Sequence, residues 1–157
     1  MQAAGDQVAY RIAGDHDRRV VVQLLTELVD ELGPAEMVER VRPMLPDDVR
    51  RALASESVRV FLAEVDGCVI GLSRADVLTE DPIFRLRTDH RCGYVDQMYV
   101  RPAHRGHGIG LELLRRCEAW FKEQRITYCL LHAAPKAARF YARHGYQPNR
   151  EMYKRIE

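Results

Sequence analysis

The sequence predicts a mixed α/β domain, and three observations carry that expectation. Apolar residues recur at helical spacing in two separated stretches, 16–32 and 112–123. Between and after them the pattern changes to strand-like apolar runs. One of those runs is interrupted by Asp66-Gly67, the strongest short hairpin signal.

Taken in order, residues 7–12 (Gln-Val-Ala-Tyr-Arg-Ile) read as a first strand. Residues 16–32 place Val20, Val21, Leu24, Leu25, Leu28 and Leu32 on one helical face. Asp15 or Asp17 stands where a cap belongs, and Gly33-Pro34 stops the helix. A shorter helical piece is expected at 35–41 and another from Pro46-Asp47-Asp48 to about Ser55. Val58, Val60, Leu62 and Val65 form one arm of the hairpin, and Cys68-Val69-Ile70-Gly71-Leu72 begins the other. Residues 78–92 read as a long loop, a length that in a compact domain is often functional. Residues 94–100 (Tyr-Val-Asp-Gln-Met-Tyr-Val) form a further strand. In the next helix Leu113, Leu114, Cys117, Trp120 and Phe121 share a face, opposite Glu112, Arg115, Arg116, Lys122 and Glu123. Residues 126–132 make a buried strand. A short helix starts at Pro135 and ends before Gly145, and the tail from Tyr146 to Ile156 is extended. This order of elements is that of a mixed α/β fold.

At 157 residues the chain fits one domain, 1–157, by the usual ~150 residues per domain. It is 46% hydrophobic and 30% charged, which excludes a disordered chain. Twenty-four Lys and Arg against 23 Asp and Glu leave a net charge of +1, without the basic excess of a nucleic-acid binder. No apolar run approaches the ~20 residues of a membrane span, and residues 1–10 lack the pattern of a signal peptide. The expected compartment is the cytoplasm. Cys68, Cys92, Cys117 and Cys129 are scattered without a Cys-x-x-Cys pair and read as free thiols. His104-x-x-His107 lacks further ligands nearby, so no metal site is expected.

The chemistry concentrates in one strand-to-helix turn, Arg105-Gly-His-Gly-Ile-Gly110. Three glycines let the backbone come close to a ligand, and the helix that follows presents unpaired N–H groups and its positive dipole end. That combination suits phosphate. No Gly-Lys pair exists for a P-loop. A Gly-x-Gly-x-x-Gly fingerprint fails in both registers, which would put its third glycine at Leu111 or Leu113. The pattern Arg/Gln-x-x-Gly-x-Gly/Ala fits through Arg105, Gly108 and Gly110.

With that turn, the sequence Val100-Arg-Pro-Ala-His-Arg-Gly-His-Gly-Ile-Gly110 and its helix resemble the GCN5-related N-acetyltransferase (GNAT) family. Arg139-Phe-Tyr-Ala-Arg-His-Gly-Tyr146 resembles the family's downstream helix–turn segment, at the right distance and with one strand between. The resemblance covers residues 93–147 well and the first 90 by element order alone. It implies a central, mostly antiparallel twisted sheet of six to seven strands, splayed between the strands at 94–100 and 126–132 and flanked by about four helices. It implies acetyl-CoA as cosubstrate, its pyrophosphate held by backbone N–H groups of Arg105, Gly106, His107, Gly108, Ile109 and Gly110. The backbone of Met98, Tyr99 and Val100 would pair with the pantetheine arm, and Phe140 would pack beside it. A β-bulge in the cofactor strand makes face assignment by alternation unreliable.

The reaction implied is transfer of acetyl to a primary amine of a small molecule or peptide. Amine attack needs a neutral nitrogen, for which Asp96 and His132 are the candidate proton acceptors; His132 is equally a substrate contact. Tyr141 stands at the family's general-acid position and would protonate the departing thiolate. The acceptor side would be built from residues 26–45 and the loop 78–92. Seven acids against three arginines in 15–40 give a local charge of −4, and Glu27, Asp30 and Glu31 would attract a cationic amine. Residues 136–155 carry a local +5 on the side assigned to the cofactor, so the two patches would flank one cleft. The other functional class is an acyl-CoA-binding sensor without catalysis, which has no need for an acid at the sulfur. Many relatives dimerise, so a homodimer is open.

Overall fold

The computed structural model describes residues 7–79, 90–149, 154 and 156. Strand β1 (Ala9–Ile12) leads through a 3-10 turn into helix α1 (Arg18–Leu32). Helices α2 (Ala35–Val41) and α3 (Leu45–Ala54) follow, then the hairpin of β2 (Val58–Val65) and β3 (Cys68–Thr79). Strand β4 (Arg91–Val100) feeds helix α4 (Ile109–Glu123), and β5 (Cys129–Leu131) and α5 (Ala138–Arg143) complete the order. Among the described residues no helix is long and apolar enough to cross a membrane.

The strands form one sheet in the order β1-β2-β3-β4-β5, antiparallel except for the parallel pair β4 and β5. The hairpin turns as its sequence demands. Asp66 and Gly67 both take positive φ, at 49° and 77°, the signature of a turn that matches strand twist. A core lies on each face of the sheet. On one, Leu113, Leu114, Cys117, Trp120 and Phe121 of α4 pack against Phe61, Ala75 and Val95. On the other, Val21, Leu24 and Leu25 of α1 and Val49 of α3 pack against Leu62, Leu72 and Tyr99. All five α4 residues read from the sequence are buried, whereas Leu32, at the end of α1, is 60% exposed.

Five expectations change. The sheet has five strands among the described residues rather than six to seven. The expected tail strand is not formed over 146–149, and residues 150–153 lie outside the described residues. The strand expected at 126–132 shrinks to three residues, because the chain first has to reverse out of α4. Arg125 adopts φ 59°, and Ile126 N–H donates to the Phe121 carbonyl at 2.9 Å. The loop expected at 78–92 is narrowed, since β3 and β4 stay paired to Thr79 and Arg91; residues 80–89 lie outside the described residues. Asp17 does not cap α1. Its buried carboxylate instead accepts from the Arg11 guanidinium at 2.7 and 2.8 Å and from the Gly14 N–H at 2.7 Å.

Two irregularities position the site. The β3–β4 register slips between Arg74 and Ala75: Arg74 faces Gln97 while Ala75 faces Val95, which leaves Asp96 as the extra residue of a bulge. The β4–β5 ladder runs only from Gly93↔Cys129 to Val95↔Leu131. The two strands therefore part at the bulge, and the β4 edge beyond Val95 opens into the gap.

Candidate active site

Residues 101–110 turn the chain from β4 into α4. Gly106 and Gly108 take φ of 83° and 80°, a left-handed conformation that costs a side chain dearly, and nothing lies within 4 Å of where a Cβ would stand. The start of α4 has no side-chain cap. Its first intrahelical bond runs from Glu112 N–H to the Gly108 carbonyl at 3.0 Å, so the N–H groups of Ile109, Gly110 and Leu111 precede any helical partner. Open glycines beside uncapped N–H groups are what a pyrophosphate requires. Arg105 is different: its own N–H donates to the Pro102 carbonyl at 3.2 Å, so it offers a side chain and no free backbone donor. His107 lies exposed in the turn.

Strand β4 borders the same turn. Arg101 N–H donates to the Ile70 carbonyl of β3 at 2.9 Å. By alternation, Met98 and Val100 then turn their backbone groups away from β3 and into the gap, while Tyr99 turns its own toward β3. That removes Tyr99 from the expected backbone contacts. Its buried side chain lies on the α1 face, with the Arg105 guanidinium 5.5 Å from its ring centroid. The Val100 carbonyl is already engaged by Arg105 Nε at 2.7 Å.

The acids assigned to the acceptor are engaged by arginines. Arg101 grips Glu27 through Nε and Nη2 at 3.0 and 2.8 Å. Arg105 grips Glu31 at 2.9 and 2.6 Å, and Arg42 holds Asp30 at 2.8 Å. Hydrogen bonds from these arginines hold the carboxyls of Glu27 and Glu31 below their usual range. The expected acidic patch is therefore partly neutralised from within the protein. Glu27 and Glu31 stand one helical turn apart on α1 and meet Arg101 and Arg105 in ion pairs, so much of the field that would attract an amine is spent inside the protein.

Asp96 stands at the vertex where β4 and β5 part. Its Oδ2 accepts from Gln97 Nε2 at 2.9 Å and lies 3.5 Å from Arg74 Nη1. Its side chain is 31% exposed, and this partial burial pushes its carboxyl up; Arg74 opposes this, and Asp76 and Asp48 add to it. His132 follows β5, exposed, with Nδ1 2.6 Å from Tyr94 Oη. Tyr141 comes from α5, 9% exposed, its ring edge-on to Phe140 and Tyr146. Burial, helped by the nearby Cys117 thiol, pushes its phenol up to about 12. Phe140 reaches the start of α4, where its Cζ would lie 3.8 Å from a Cβ at Gly110.

Sequence reading missed Arg74, Asp76 and Asp48, which surround Asp96. One signal was present. Arg74 and Asp76 are two apart on a strand, hence on one face, an unusual pair of charges in an otherwise apolar run.

The comparisons agree with this geometry. The model of the GNAT acetyltransferase family matches residues 22–146. A GCN5-related N-acetyltransferase from Ralstonia eutropha JMP134 is 29% identical, with a TM-score of 0.85 over 96% of this chain and 99% of that one. A predicted acetyltransferase from Clostridium acetobutylicum, solved with acetyl-CoA, is 24% identical, with a TM-score of 0.83 over 96% of each chain. The aminoglycoside N-acetyltransferase AAC(6')-Iy, solved with CoA, shares the fold at 16% identity, with a TM-score of 0.78 over 99% of each chain. No curated protein matches at a significant level.

Proposed function

Because the chain belongs to the GNAT acetyltransferase family and so is an N-acetyltransferase using acetyl-CoA, we propose that it acetylates a primary amine of a small molecule or peptide by direct transfer. The observation that carries this reading is the adjacency of two features. One is the open, uncapped turn of Gly106 to Gly110; the other is a parted pair of strands with a carboxylate at the vertex. The first suits a pyrophosphate and the second leaves a strand-shaped gap leading to Asp96.

The backbone N–H groups of Gly106 to Gly110 would hold the pyrophosphate, and the inward backbone of Met98 and Val100 would pair with the pantetheine arm. Phe140 would pack beside it. Acetyl-CoA supplies an activated acyl group as a thioester. An alkylamine with pKa about 10.4 must lose a proton before it attacks, at a cost of ~4.6 kcal/mol at pH 7. Asp96 is the proton acceptor in this reading, its raised proton affinity narrowing the gap to the amine. His132, held by Tyr94, borders the acceptor side. Charge developing on the thioester oxygen is met by a backbone N–H from the Met98–Val100 edge. The leaving thiolate takes its proton from Tyr141, a phenol that burial keeps protonated across the working range. The protein is read as cytoplasmic.

The test is thiol release from acetyl-CoA over a panel of polyamines, aminoglycosides, amino acids and peptide N-termini. Turnover with at least one amine, lost in Asp96→Asn and Tyr141→Phe together, is expected. Binding of acetyl-CoA without turnover on any amine would make the chain a sensor and overturn the proposal.

A further inference from the structure

Arg74 is a largely enclosed cation outnumbered by the carboxylates around it. Its side chain is 13% exposed and three carboxylates from three elements share it. Nε and Nη2 donate to the two oxygens of Asp76 on the same strand at 2.7 and 2.8 Å. Nη1 donates to Asp48 Oδ2 of α3 at 2.8 Å. The same Nη1 is 3.5 Å from Asp96 Oδ2, beyond a good hydrogen bond. The guanidinium is thus satisfied by Asp76 and Asp48, and Asp96 receives only the remainder of its field. The bulge is what brings Asp96 here. As the extra residue opposite Arg74 and Ala75, it shares the α3 side of the sheet with Gln97.

We propose that Arg74, Asp76 and Asp48 are positioning residues that hold the Asp96 carboxylate at the parting of β4 and β5 and tune it as the proton acceptor. This rests on the reading of Asp96 under the proposed function. In the step concerned, a proton leaves the ammonium nitrogen of the acceptor and adds to an Asp96 oxygen, giving a neutral amine and a carboxylic acid. One arginine bonded to Asp96 alone would stabilise its charged form and make it a poor acceptor. Two further carboxylates on that arginine divert its hydrogen bonds and add their own repulsion. The groups facing Asp96 are then Arg74 and Asp76 from β3 and Asp48 from α3, with Gln97 beside it on β4. Their signs require opposite responses to mutation, which a purely structural role does not.

The experiment uses the full chain labelled with ¹³C at aspartate carboxyls, the Asp96 signal being the one absent in Asp96→Asn. Its titration midpoint is expected above the ordinary aspartate value of about 3.9. Asp48→Asn and Asp76→Asn should lower the midpoint, and Arg74→Gln should raise it, each by on the order of one pH unit. Arg74→Lys keeps the charge and should stay nearer the parent. The acid limb of kcat/KM for an accepted amine should move in parallel. Asp48 is 35% exposed, so its variant is the one expected to fold even where Arg74→Gln leaves Asp76 and Asp48 without their shared cation and does not. Midpoints that stay put, or rise, in Asp48→Asn and Asp76→Asn overturn the proposal. Parent-like turnover in Asp96→Asn instead overturns the role of Asp96 itself, a failure that the midpoints tell apart from the first.

Discussion

Replacing Gly108 with alanine, and separately Gly110, separates backbone strain from helix propensity within one turn. Gly108 has φ 80° and precedes the first residue of α4, whereas Gly110 lies inside the helix without positive φ. An alanine at Gly108 must either hold the left-handed region, at roughly 1–2 kcal/mol, or leave it and re-aim the N–H groups that follow. For a chain of this size each kcal/mol shifts Tm by ~2–4 °C, so Gly108→Ala should lower Tm by about 2–8 °C. An alanine at Gly110 meets only Phe140 Cζ, at 3.8 Å, an ordinary contact, and gains helix propensity of up to ~1 kcal/mol. Its Tm should hold or rise by a few degrees. Re-aimed N–H groups lose hydrogen bonds to a charged phosphate worth about 1.5–3 kcal/mol each. That weakens CoA binding by roughly 10- to 150-fold per bond, against little change in Gly110→Ala. Differential scanning calorimetry and titration calorimetry with CoA read the two effects. Equal Tm and equal CoA affinity in the two variants would falsify the assignment of this turn to the pyrophosphate.

Tyr141→Phe should lower kcat by about 10²-fold or more while leaving CoA affinity near the parent, as measured by steady-state kinetics and titration. Because burial pushes the Tyr141 phenol up to about 12, the parent enzyme should show no loss of activity from this group up to pH 10. Glu27→Gln and Glu31→Gln should leave KM for accepted amines unchanged, because Arg101 and Arg105 already neutralise both acids. A several-fold rise in amine KM would restore them to the acceptor site. Their stability cost is small for Glu31, whose pair with Arg105 is 42–43% exposed and worth up to ~1 kcal/mol. Acid should destabilise the fold in a defined direction. Asp17, Glu27 and Glu31 are held below their usual values by arginines, so their contribution is complete above the unfolded values of about 4–4.5 and fades as pH falls through the lower folded ones. Asp96, held high, acts in the opposite sense. Tm measured from pH 7 to pH 3 should fall below about pH 4.5, and a flat profile would refute the ion-pair accounting.

Much of the fold was legible in the chain. The period of Leu113, Leu114, Cys117, Trp120 and Phe121 named the buried face of α4 without error, because a 3.6-residue repeat leaves no other surface to bury. Asp66-Gly67 marked its turn because few other pairs accept two positive φ values in succession. The glycines at 106 and 108 marked the turn into α4 because both hold positive φ with open space where a Cβ would stand. The extent of β5 and the partners of Asp17 were not legible. Each depends on what a neighbouring element leaves available: the turn at Arg125 in one case, the guanidinium of Arg11 in the other.

The local chemistry of the chain by itself determined where the helices, the hairpin and the glycine turn before α4 lie, since those follow from side-chain period and allowed backbone angles. Only the tertiary structure decided which charges meet. Glu27 and Glu31 lie 74 residues from Arg101 and Arg105, and no local pattern joins them. The same holds for Asp48, Arg74 and Asp96, brought together by a bulge and a helix packed across the sheet. Charge counts along the chain marked an acidic patch, and packing drew its Glu27, Asp30 and Glu31 into ion pairs. The reason is that a Coulomb interaction is set by distance in space and by burial, and neither is a property of sequence separation.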